Sequence, residues 1–280
     1  MKERSLVFFT LLMQGSVGLC LMLQFMDMGN FLLVPERSMF FLACRILVFL
    51  MAFTGLTSSF FHLKVPLHAW RAFSNLKTSW LSREILFASI YTISVFAVAA
   101  LQFSLVMAGF VVVVKWIALF AGLTMIFCMG SAYRLPTVKF WNSPQTIITF
   151  YNSALILGLT ILLPLAFHYL EGTGNQQIAI YSGGILAVLI LLNLLLSWNG
   201  FKRLLSETNE TFIKIRKMFL FRACIAILAA LVSTLYFFSG LQSANWLIWP
   251  VIATTLLSEL SGRVLFYAAQ VPYGVYLLNE

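Results

Sequence analysis

The sequence predicts an all-α, polytopic membrane protein, with eight transmembrane helices in a bundle. Three observations carry that reading. Eight apolar stretches fill nearly all of the 280 residues, each close to the roughly 20 residues that cross a bilayer. Hydrophobic residues make up 61% of the chain and charged residues only 10%, where soluble domains carry about 25% charged; mean hydropathy is +0.95. The basic residues gather at the ends of the apolar stretches, on one side of the threaded chain.

The first span, 5–26, follows Lys2 and Arg4. Its apolar run is longer than a signal-peptide core, and seven more follow, so it is read as a retained helix. The second span, 38–61, ends at His62. The third, 84–107, opens at Glu84, and a tight turn around Ser104 to Gly109 separates it from the fourth, 110–131. The fifth, sixth, seventh and eighth cover 145–168, 178–198, 219–240 and 246–268. Longer connections fall at 62–83, 132–144 and 199–218. The expectation is one integral membrane domain over 1–280, with no soluble domain and no repeat between the first four helices and the last four.

An even number of spans puts both termini and the three long connections on one side. That side carries Lys2, Arg4, Lys64, Arg71, Lys77, Arg83, Arg134, Lys139, Lys202, Arg203, Lys214, Arg216 and Lys217, whereas the opposite loops carry Arg37. Such a bias sets topology and places this basic side in the cytoplasm. It also accounts for the net charge of +9 without any nucleic-acid partner.

Ionisable groups within a bilayer are costly, roughly 2.5–3.5 kcal/mol each at a helix centre, so each raises a functional question. Arg4, His62, Glu84, Arg222, Glu259 and Arg263 all fall near the basic side, on five different helices. Arg4 and Arg222 read as helix-end anchors that snorkel. His62 reads as a cap or a ligand. Glu259 and Arg263, spaced i, i+4 on one helix face, read as a structural ion pair or as part of a site. Glu84 enters an apolar helix beside Arg83, where a carboxylate is poised for proton exchange. On the other leaflet, Arg45 and Lys115 have no carboxylate close in sequence and read as snorkelling side chains.

Cys20, Cys44, Cys128 and Cys224 are isolated in apolar runs, with no C-x-x-C, so neither zinc nor an iron–sulfur cluster is expected. They read as small buried hydrophobes. His62, His68 and His168 do not place two imidazoles on different helices at one depth, so no haem is expected either.

Several blocks resemble one family. Ser59-Phe60-Phe61-His62-Leu63-Lys64-Val65-Pro66, then Arg71-Ala72-Phe73-Ser74-Asn75-Leu76, then Ser79-Trp80-Leu81-Ser82-Arg83-Glu84-Ile85 resemble the second connection of the DmsC-type anchor subunit of anaerobic dimethyl sulfoxide reductase. The opening Leu6-Val7-Phe8-Phe9-Thr10 with Gln14, the central Tyr133, Pro136-Thr137 and Trp141, and the closing Glu259-Leu260-Ser261-Gly262-Arg263 with Phe266-Tyr267 follow in the family's order. Lys64 and Val65 stand where a Gly-Ser pair is common, a local departure.

The resemblance implies an anchor for a molybdopterin catalytic subunit and an iron–sulfur electron-transfer subunit. Such an anchor oxidises menaquinol as an exchangeable substrate and carries no haem, cluster or molybdenum of its own. It implies that His62 and Glu84 are the groups that work on the quinol. An imidazole and a carboxylate suit the release of two protons; Arg83, Glu259 and Arg263 would complete the quinol site, with Arg83 or Arg263 tuning the carboxylate. Arg71, Lys77, Arg134 and the run Lys214–Lys217 become candidate docking contacts. In well-known relatives the termini and docking face are assigned to the periplasm, opposite to what the charge bias gives here. Rival readings are a secondary transporter, against which the acidic groups lie near one surface rather than mid-membrane, a purely structural scaffold, and the related polysulfide-reductase type of anchor.

Overall fold

The computed structural model describes residues 2–28, 37–60, 75–101, 108–138, 140–170, 177–202, 210–239 and 245–269. Eight helices run through them: α1 (Lys2–Met28), α2 (Arg37–Phe60), α3 (Trp80–Leu101), α4 (Ala108–Ala132), α5 (Pro144–Leu170), α6 (Gln177–Lys202), α7 (Glu210–Ser239) and α8 (Ile248–Ala268). Each is long and apolar enough to cross a membrane, and no strand occurs among the described residues. The protein is therefore all-helical and multi-pass.

The helices form two four-helix halves, α1–α4 and α5–α8, joined where α1 lies along α5. Both helices are mostly buried, and glycine makes their approach possible. A Cβ on Gly18 would fall 1.8 Å from the Ala154 carbonyl oxygen, and one on Gly158 would fall 2.4 Å from the Gly18 carbonyl carbon. In lipid, where apolar side chains gain little by leaving the solvent, such backbone contact between small residues is a main source of helix association.

Helix ends correct the expected boundaries. Ser79 caps α3, its Oγ accepting from the Ser82 amide at 3.2 Å, in the usual N-cap manner. The helix starts at Trp80, and Glu84 lies one turn inside instead of opening it. Ser143 takes the same role before α5, accepting from the Gln145 amide at 3.2 Å, with Pro144 at the first helical position. α7 begins at Glu210, nine residues earlier than expected, so the basic run Lys214–Lys217 is helical. Arg222 consequently sits three turns into α7, and it is buried. The proposed turn at Ser104 to Gly109 falls mostly outside the described residues.

Of the four cysteines, all free, Cys44 and Cys128 are buried, Cys20 is half-buried and Cys224 is exposed. The last departs from the expected burial because its side of α7 faces outward, towards lipid.

Candidate functional site

The Glu84 side chain is 3% exposed, and no hydrogen bond or ion pair reaches it among the described residues. Its neighbour Arg83 turns away. Arg83 donates from Nε to the Leu76 carbonyl at 2.8 Å and from a terminal nitrogen to the Lys77 carbonyl at 2.6 Å. Its guanidinium lies 4.4 Å from the centre of the Trp80 ring. Arg83, one of the two arginines expected to tune the carboxylate, fastens the turn before α3.

Glu84 lies within electrostatic reach of two phenols, Tyr133 and Tyr267. Their hydroxyls share a hydrogen bond of 2.8 Å across 134 residues of sequence. The Thr10 hydroxyl of α1 is spent within its own helix, where it donates to the Leu6 and Val7 carbonyls. Tyr133 leaves the end of α4 in the central loop, and burial, then the Tyr267 phenol and the Glu84 carboxyl, hold its hydroxyl well above the usual tyrosine range. It is therefore a neutral donor and acceptor throughout the physiological range. The Tyr133 ring is fixed by edge contacts to Trp141 and Phe266 at 5.3 Å each.

Arg263 occupies the next turn of α8. It donates to Gln14 Oε1 at 2.7 Å and lies 4.1 Å from the centre of the Phe150 ring. Phe266 stacks on Trp141 at 5.1 Å, and the Trp141 indole donates to the Phe266 carbonyl at 2.9 Å. One arginine thus ties α1, α5 and α8 together at the layer of the phenol pair, and its ring contacts supply part of what a buried cation loses in leaving water.

A second polar cluster lies inside α5–α8. Arg222 donates to Ser197 Oγ at 2.5 Å and to Asn193 Oδ1 at 3.1 Å. Asn193 in turn donates to Glu259 Oε1 at 2.8 Å and to Ser153 Oγ at 3.3 Å. Of the two readings of Glu259 and Arg263, the ion pair does not form: each side chain leaves α8 towards a different partner, Asn193 and Gln14. Arg222 is no snorkelling anchor either, since the residue is 5% exposed and its guanidinium donates into the bundle. A cavity of about 50 Å³ borders the cluster, polar enough and large enough for a few ordered waters.

On the opposite leaflet, Asp27 of α1 pairs with Lys115 of α4, and with Arg45 of α2 at 3.7 Å. The two cations expected to snorkel instead share a carboxylate that is close in space and remote in sequence.

The model of the DMSO reductase anchor subunit family, DmsC, matches residues 1–269. The chain belongs to the DmsC family. It is 31% identical over 208 residues to a sulfite dehydrogenase subunit of Allochromatium vinosum, an alignment that takes in 67% of this protein and 60% of that subunit's length. It is 22% identical over 281 residues to a component of the anaerobic dimethyl sulfoxide reductase of Haemophilus influenzae, taking in 98% of this protein and 96% of the relative.

Of the site residues read from sequence, this DmsC-family protein brings Glu84 and Arg263 to one layer, places Glu259 in the neighbouring cluster and directs Arg83 elsewhere. Lys77 and Arg134 are exposed at the basic face, while His62 and Arg71 lie outside the described residues. Sequence reasoning confined to charged groups passed over Tyr133, Tyr267, Gln14 and Asn193 as site components. The available signal was an uncharged polar side chain within or beside an apolar run, which in lipid needs a partner just as a charge does.

Proposed function

We propose that this protein anchors an iron–sulfur electron-transfer subunit and a molybdopterin catalytic subunit to the bacterial cytoplasmic membrane and oxidises menaquinol on their behalf. The observation that carries the reading is Glu84, a carboxyl buried within the membrane with no partner among the described residues, within electrostatic reach of a hydrogen-bonded pair of phenols. Oxidation of one quinol releases two electrons and two protons. Glu84 takes a proton, and His62 binds a ring oxygen or takes the second. The phenol pair Tyr133–Tyr267 passes a proton onward, because each hydroxyl can accept on one side while donating on the other. Arg263 contributes a fixed positive charge to the same layer. The electrons leave at the basic face to a cluster of the partner subunit, with Arg71, Lys77 and Arg134 as docking contacts.

The charge bias puts that face in the cytoplasm. Protons released and protons consumed by substrate reduction then share one side, and the complex moves no net charge across the membrane. The likeness to a sulfite dehydrogenase subunit favours a second direction for the same chemistry: protons returned to a quinone while electrons enter from the partner. The residues serve both senses, and the partner's redox couple selects one.

The test compares membranes that hold the assembled complex with soluble catalytic subunits produced without this anchor and mixed with membranes that lack it. Both should reduce the terminal acceptor with a reduced viologen donor, and only the first should do so with menaquinol. Equal menaquinol-driven rates would remove the quinol role from this subunit.

A further inference from the structure

Arg222 of α7 and Arg263 of α8 line one cavity of about 50 Å³, and they are only 5% and 4% exposed. An arginine keeps its charge in a protein, so both are cations inside the bundle. Their terminal nitrogens meet neutral groups: Arg222 donates to Ser197 Oγ and Asn193 Oδ1, and Arg263 donates to Gln14 Oε1. The two guanidiniums lie within electrostatic reach of each other and of Glu259. Glu259 is bonded by the Asn193 amide and, among the described residues, by neither arginine. Glu84, the buried carboxyl of α3, acts on the phenols of the neighbouring layer instead. Two positive charges against one negative leave a positive excess out of water, which is costly unless something offsets it.

We propose that this cavity is a binding site for one small monovalent anion of chloride size, held between Arg222 and Arg263. The donors are in place. The Nε–H groups of both arginines are buried and have no partner among the described residues. Ser143 and Ser153 each accept a hydrogen bond, from the Gln145 backbone amide at 3.2 Å and from Asn193 at 3.3 Å, and their own hydroxyl protons remain to be given. The opening turns of α5 form this wall, so the positive end of a 27-residue helix adds to the field.

Size and donor geometry favour a spherical ion. A carboxylate or phosphate is held best by two parallel N–H groups of one guanidinium, whereas here the terminal nitrogens are engaged and each arginine offers its single Nε–H. The volume admits one such ion with a water or two. The water has its own partners, because Glu259 and the unpartnered amide oxygen of Gln145 also line the cavity. Ser143 and Gln145 lie at the basic face, where the surrounding lysines and arginines raise the local concentration of anions. The ion is then a structural counter-charge that fastens α5, α7 and α8 together, independently of what Glu84 does.

The experiment follows thermal unfolding of the full chain in detergent while chloride replaces gluconate at constant ionic strength. The native midpoint is expected to rise and level off, by about 2–4 °C. Gln145→Glu puts a fixed carboxylate at the cavity wall in place of the ion, and its midpoint should no longer respond to chloride. An equal rise in both proteins would place the chloride effect elsewhere, and no rise in the native protein would mean that water alone fills the cavity. Either result overturns the site. A second measurement needs no variant: anomalous diffraction from crystals of the native protein grown in bromide. A bromide peak in contact with Arg222 and Arg263 is expected, and its absence would overturn the site whether or not Gln145→Glu folds.

Discussion

Gly262 leaves the space that the Arg222 guanidinium fills: a Cβ there would stand 2.6 Å from Arg222 Nε and 2.9 Å from its Cζ. The missing side chain on α8 lets an arginine of α7 lie flat against the helix while it donates to Ser197 and Asn193. Gly262→Ala should therefore displace the guanidinium and strain both hydrogen bonds. The expected loss is about 1–3 kcal/mol, read as a lower unfolding midpoint of the detergent-solubilised protein. Gly109→Ala, where nothing lies within 4 Å, should show no loss.

The contact between α1 and α5 gives a stronger prediction, because backbone rather than a flexible side chain stands in the way. Gly158→Ala drives a methyl group into the backbone of Gly18 and Leu19. Separation of the two halves, or a loss of about 3 kcal/mol at the upper end for overpacked sites, should follow. Yield and unfolding midpoint report it together.

Asp27→Asn removes the carboxylate that Lys115 and Arg45 share on the leaflet opposite the basic face. The triad is mostly but not fully buried, so a cost of about 1–3 kcal/mol is expected, between the values for surface and interior pairs. A double-mutant cycle with Lys115→Met should return a coupling of at least about 1 kcal/mol; additive effects would mean that the pair contributes nothing.

Helix number and membrane class were legible because each span is a long apolar run, which needs no knowledge of its neighbours. The start of α7 was not, since Lys214, Arg216 and Lys217 lower the local hydropathy while Ile215 and Phe219 still bury one face of a continuing helix. Asp27 meets Lys115 across 88 residues, and Tyr133 meets Tyr267 across 134. Nothing local in sequence marks either partnership. Glu259 and Arg263 illustrate the reverse case, in which ideal i, i+4 spacing predicted a pair that the surrounding helices divide between Asn193 and Gln14. Glu84 stood out from sequence because it is a lone carboxyl in an apolar helix, and its burial follows from the Ser79 cap that sets α3 starting one turn earlier.

Tyr133→Phe deletes one hydroxyl and keeps the ring contacts with Trp141 and Phe266. Stability should change little, while menaquinol-driven turnover should fall about tenfold, at or below the lower end of what a proton-transfer group contributes. Viologen-driven turnover should be untouched. Because burial holds the Tyr133 hydroxyl above the usual tyrosine range, it stays protonated at neutral and mildly alkaline pH. The pH profiles of native and variant complexes should therefore have the same shape there and differ only in height.

The most direct measurement is menaquinol oxidation by the assembled complex with Glu84→Gln, at matched assembly and with viologen-driven turnover as the internal control. Glutamine keeps the size of the side chain and removes its ability to take a proton. The account predicts loss of menaquinol oxidation by a factor of about 100 or more with viologen-driven turnover intact. Native menaquinol oxidation in that variant would contradict it, and Glu84 would then be a buried carboxyl with no part in the chemistry.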